Sequence, residues 1–117
     1  MDKKNKIPND DFFKIVYIIL DELYACLKKD VEVNLDAISP ERFGIEEGYM
    51  MEILWNLDNK GFITGANIFT SEAGSRIVRN LNQIKITIDG IEYLQENSKM
   101  KKIYNALKEV RDWVPGF

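Results

Sequence analysis

The chain has 117 residues and a net charge of −3, with 45% hydrophobic and 30% charged residues, which fits one globular domain and excludes a disordered or fibrous polymer. It has no His and a single Cys, Cys26. A His/Cys zinc site, a Ser-His-Asp triad, a Cys-His dyad and an internal disulfide are therefore excluded, and no apolar run reaches the ~18 residues of a membrane span.

Lys3, Lys4 and Lys6 ahead of an apolar run imitate a secretory signal. Lys14 inside that run and Asp21-Glu22 at its end contradict it, because a signal peptide is neutral there. The expectation is a cytoplasmic protein with a reduced, half-buried Cys26. Residues 1–9 are read as a basic arm, 10–114 as one domain and 115–117 as a tail.

Residues 10–29 predict a helix, with Phe12, Val16, Ile19, Leu20, Leu23 and Leu27 on one stripe. Asp10 and Asp11 at its start and Lys28 and Lys29 at its end suit the helix dipole. A short extended stretch is expected around residues 32–35. Ser39-Pro40 then signals a short helix, because the Ser side chain caps free N–H groups and Pro fits the first turn; Gly44 closes it. Residues 46–60 predict a second helix with Met50, Ile53, Leu54 and Leu57 inward, stopped by Gly61.

Phe62-Ile63, Ile68-Phe69-Thr70 and Arg76-Ile77-Val78-Arg79 read as strand material, with Ser71–Ser75 as a turn cluster. Ile84 to Thr87 leads into a helix capped by Thr87 and anchored by Ile91 and Leu94. Residues 99–113 predict a last helix carrying Met100, Ile103, Leu107 and Val110, with Tyr104 and Trp113 at its flanks. Two helices in tight succession followed by a hairpin form the layout of a winged helix. The expected fold class is thus α+β, mainly helical: a helix-turn-helix and a β-hairpin wing, with additional N- and C-terminal helices.

The segment Ile86-Thr87-Ile88-Asp89-Gly90-Ile91-Glu92-Tyr93-Leu94-Gln95-Glu96-Asn97 resembles the Leu-Thr-x-x-Gly-x-x-Tyr-Leu-x-x-Asn stretch that closes many winged-helix domains. Lys108-Glu109-Val110-Arg111-Asp112-Trp113-Val114 is similar to the C-terminal signature of the YjcQ-like family. The resemblance implies a small winged-helix-like protein of the kind found in Firmicutes and their phages. It implies no established activity and no catalytic residue. This chain departs from the pattern in its long first helix and in the stretch between Thr70 and Thr87.

Charge is unevenly distributed. Residues 31–60 carry seven carboxylates and two cations, a net of −5, whereas 61–87 carry Arg76, Arg79 and Lys85 against Glu72, a net of +2. In a helix-turn-helix the second helix enters the major groove. Here that helix opens on Glu46-Glu47, and its outward positions are Gly48, Met51, Glu52, Trp55, Asn56 and Asn59. Carboxylates there repel phosphate, which supplies most non-specific affinity.

The sequence-level expectation is accordingly a non-catalytic regulatory interaction module. Met51, Glu52, Trp55 and Asn59 would meet a protein partner, as an aromatic anchor in a polar rim. The alternative is a DNA-binding regulator that acts mainly through the wing, with Arg76, Arg79 and Lys85 on phosphates and Asn56 on a base. Catalysis is not expected: the Glu92/Glu96 and Glu46/Glu47 pairs are ordinary helix-surface carboxylates. Neither a cofactor nor a metal is called for, and no membrane partner. A homodimer through the terminal helices is compatible with the pattern.

Overall fold

A computed structural model describes residues 11–99. The expected basic arm with Lys3, Lys4 and Lys6, and the expected last helix with Tyr104 and Trp113, lie outside the described residues. The described part is α+β and mainly helical: four α-helices and two small antiparallel sheets.

Helix α1 spans Asp11–Lys29, with Asp11 in its first turn and Lys28 and Lys29 in its last. It is more than a one-striped surface helix. Every residue from Lys14 to Leu20 is buried, and Lys14, which divides the apolar run, is only 3% exposed. Two turns buried all round require neighbours on several sides. α1 indeed meets α3, α4, β4 and the turn that follows it.

The stretch expected to be extended around residues 32–35 gives way to a 3-10 turn at its last residue, Leu35–Ile38. Asn34 is itself extended, φ −78° and ψ 119°, and its side-chain oxygen caps the turn by accepting from the Asp36 N–H at 2.9 Å. Ser39 then serves both sides. Its hydroxyl donates to the Asp36 carbonyl at 3.0 Å and accepts from the Arg42 N–H at 3.2 Å, which starts α2 (Pro40–Phe43). Arg42 ties this turn to α1 by donating to Glu22 at 2.9 Å and to the Ala37 carbonyl at 2.7 Å. Gly44 follows in the left-handed region, φ 65°.

Helix α3 runs Glu47–Asn59 and buries Met50, Ile53, Leu54 and Leu57, the four inward positions read from spacing. It ends with Phe62 N–H on the Leu57 carbonyl and Gly61 N–H on the Asp58 carbonyl, with Gly61 at φ 77°, the left-handed helix stop that glycine favours.

The strands pair differently from the expected single hairpin. β2 (Asn67–Thr70) and β3 (Arg76–Arg79) pair antiparallel across the Ser71–Ser75 turn. The segment Phe62-Ile63 instead leads into β1 (Ile63–Thr64), which pairs with β4 (Lys85–Ile86). Between β1 and β2 the chain passes so close to Gln83 that a Cβ on Gly65 would stand 2.1 Å from its carbonyl oxygen.

Helix α4 (Ile88–Glu96) closes the described fold, and each residue of the Thr-x-x-Gly-x-x-Tyr-Leu-x-x-Asn stretch has a packing task there. The Thr87 hydroxyl accepts from the Gly90 N–H at 3.1 Å and donates to the Gly61 carbonyl. At Gly90 a Cβ would lie 2.5 Å from the Phe62 carbonyl oxygen and 2.6 Å from the Ile86 side chain. The Tyr93 ring lies 5.2 Å from that of Phe62, Leu94 is buried, and Asn97 donates to the Tyr93 carbonyl at 2.8 Å. This motif builds the fold.

Candidate interaction surface

The β2–β3 hairpin rests on α3. Side chains of directly opposed strand residues share a face, so the register puts Ile68, Val78, Thr70 and Arg76 on one side and Asn67, Arg79, Phe69 and Ile77 on the other. Ile68 and Val78 pack against the core. The first set therefore faces α3.

Arg76 joins the two elements. Its guanidinium carbon lies 3.7 Å from the centre of the Trp55 ring. Its Nε donates to Glu52 at 2.9 Å, and another guanidinium nitrogen donates to the Thr70 hydroxyl at 2.7 Å. Trp55 is half-buried beneath it, neither core nor open surface. A partly exposed cation–π contact is worth about 0.5–2 kcal/mol. The ion pair adds little more, because the Glu52 side chain is 48% exposed and water screens it.

Of the residues read as a protein interface, Met51 is half-buried against the core, Glu52 and Asn59 are exposed, and Trp55 is covered in part by Arg76. Of those read as nucleic-acid contacts, Arg76 is held by Glu52, and Asn56 donates back to the Glu52 carbonyl at 2.8 Å. Arg79 and Lys85 are exposed, and neither has a carboxylate partner among the described residues. Arg79 lies over the Phe69 ring at 5.3 Å. The two sets, derived as alternatives, thus meet in one place: the hairpin's Arg76 sits on Trp55 of α3. Sequence reasoning missed this contact. Strand alternation could have found it, since Arg76 is two residues from Val78 and so shares its inward face.

At the start of α3, Glu46, Glu47 and Gly48 are all exposed, and the Glu46 side chain makes no capping bond. That end presents negative charge to solvent. The Glu92 and Glu96 pair on α4 is exposed as well. Among the described residues no three His, Cys, Asp or Glu side chains converge on one point, and no helix is long and apolar enough to cross a membrane.

A cavity of about 150 Å³ lies between the end of α1 and β4, lined by Leu23, Cys26, Leu27, Val31, Glu32 and Ile84 among others. Drug-sized ligands occupy ~300–1,000 Å³, so this cavity is smaller than such a site. Burial, with the Glu22 charge adding and Lys29 opposing, pushes the Cys26 thiol up. A thiol kept protonated is a poor nucleophile.

In comparison with known proteins, residues 17–113 match the family model described as YjcQ protein. The chain is similar to the uncharacterized protein YjcQ of Bacillus subtilis (strain 168), with 28% identity over 93 residues that cover 78% of this chain and 92% of that one. No solved structure gives a significant match.

Proposed function

This chain belongs to the YjcQ family, and from that premise we propose that it is a non-catalytic winged-helix module that binds a protein partner through the outward face of α3. The succession of α2, the Gly44 turn, α3 and the β2–β3 hairpin supports the winged-helix reading. Met51, Trp55 and Arg76 form the centre of the patch, and Glu52 and Asn59 its rim. Tryptophan and arginine are the residues most enriched among binding hot spots. Here the guanidinium is already held over the ring at 3.7 Å and bonded to Glu52 and Thr70, so less of its freedom is lost on binding.

The carrying observation is the engagement of Arg76. With its charge met by Glu52 at 2.9 Å and Glu46 and Glu47 exposed at the start of the helix, a duplex approaching that end of α3 meets carboxylates, and the arginine beside the helix is already engaged. Arg79 on the hairpin and Lys85 on β4, which pairs with β1 and not with the hairpin, support the second reading, in which this side of the molecule contacts phosphate.

Anisotropy titration of a labelled random-sequence duplex across a salt series separates the two. Phosphate contacts by Arg79 and Lys85 alone give weak binding, with a log–log salt slope near about −2. Tight binding with a slope of about −5 or steeper would overturn the protein-partner reading.

A further inference from the structure

The outer face of the hairpin is separate from the α3 patch, and its apolar residues Phe69 and Ile77 are half-buried. Phe69 and Ile77 lie directly opposite each other in the register. They point away from α3, because Ile68 and Val78 on the other face pack on the core. Among the described residues neither Phe69 nor Ile77 packs against that core. Beside them the Arg79 guanidinium lies 5.3 Å from the Phe69 ring centre, exposed and without a carboxylate among the described residues.

An aromatic–aliphatic pair beside one guanidinium that has no carboxylate among the described residues has a definite complement. We infer that this face, through Phe69, Ile77 and Arg79, docks a protein segment that places a carboxylate beside an apolar side chain. Arg79 would take the carboxylate through two parallel N–H···O bonds, while Phe69 and Ile77 take the apolar group. Charge decides the class of occupant. A single guanidinium flanked by apolar side chains displaces few counterions from a nucleic acid, but it matches an acidic peptide in both charge and apolar area. The assignment does not depend on the α3 patch being a binding site.

The test uses the full chain labelled with ¹⁵N and two matched extended peptides, Leu-Ser-Glu-Ser-Leu and Leu-Ser-Lys-Ser-Leu, at millimolar concentration. Leu and its charged neighbour stand two positions apart and so share a face in an extended chain. The glutamate peptide is expected to shift the signals of Phe69, Ile77 and Arg79, and the lysine peptide is not. Arg79→Glu, an exposed substitution whose folding the same spectrum reports, is expected to weaken the glutamate peptide at least about tenfold and to favour the lysine one. Equal response to both peptides, or no response at the hairpin, overturns the assignment. Shifts confined to Met51 and Trp55 overturn it while leaving the α3 reading in place. Salt-steep duplex binding lost in Arg79→Glu overturns both.

Discussion

At the α4 end, Thr87, Gly90, Tyr93, Leu94 and Asn97 each meet a partner within the chain. The hairpin divides its residues instead. Arg76 turns inward onto Trp55 and Glu52, while Arg79, three positions later on the same strand, lies exposed over Phe69. Side chains consumed by packing define a fold, whereas those left between packing and solvent are where recognition is built. The Ile86–Asn97 stretch belongs to the first kind, so it serves the architecture and is silent on activity.

Substitutions can break or sharpen that contrast. The largest effect is expected at the α4 end. Gly90→Val would drive side-chain carbons into the Phe62 carbonyl and Ile86, and urea unfolding should show a loss of about 3 kcal/mol or more. Gly74→Ala, at the hairpin tip with nothing within 4 Å, meets only the strain of φ 94°, about 1 kcal/mol. Equal losses at the two glycines would erase the distinction between a packed end and an open one.

Trp55→Ala comes next, at about 2 kcal/mol: more than an exposed side chain forfeits, and less than the ~3–5 kcal/mol of a fully buried Trp. Thr87→Ala removes a helix cap and should cost about 1 kcal/mol.

The smallest effect concerns pH. Burial, and for Tyr17 the nearby Asp21 charge as well, raises the phenol pKa of Tyr17 and Tyr93. The folded state therefore holds these protons more tightly than the unfolded chain does. Their contribution is full below the ordinary value of about 10 and is lost as pH rises through the raised folded values. Urea midpoints should fall on that alkaline side, and Tyr93→Phe should flatten the fall.

Several features were legible in the chain before its structure was known. The spacing of Met50, Ile53, Leu54 and Leu57 marked the buried face of α3. Ser39-Pro40 and Thr87 marked helix starts because capping is local chemistry. What was not legible depends on contacts distant in sequence. β1 and β4 are two residues each, too short for an alternating pattern, and their pairing joins Ile63 to Ile86. The burial of α1 on all sides depends on elements that arrive later in the chain. Trp55 was undecidable alone, since its exposure is set by a strand twenty residues on.

The contact between Arg76 and Trp55 can be tested most directly by acrylamide quenching of Trp55 fluorescence, in a protein whose other tryptophan is removed by Trp113→Phe. Replacing Arg76 with Ala is expected to shift the emission to the red and to increase quenching, while Arg79→Ala leaves both unchanged. If Arg76→Ala alters neither, or if the two arginines behave alike, the hairpin is not fastened to α3 through Arg76.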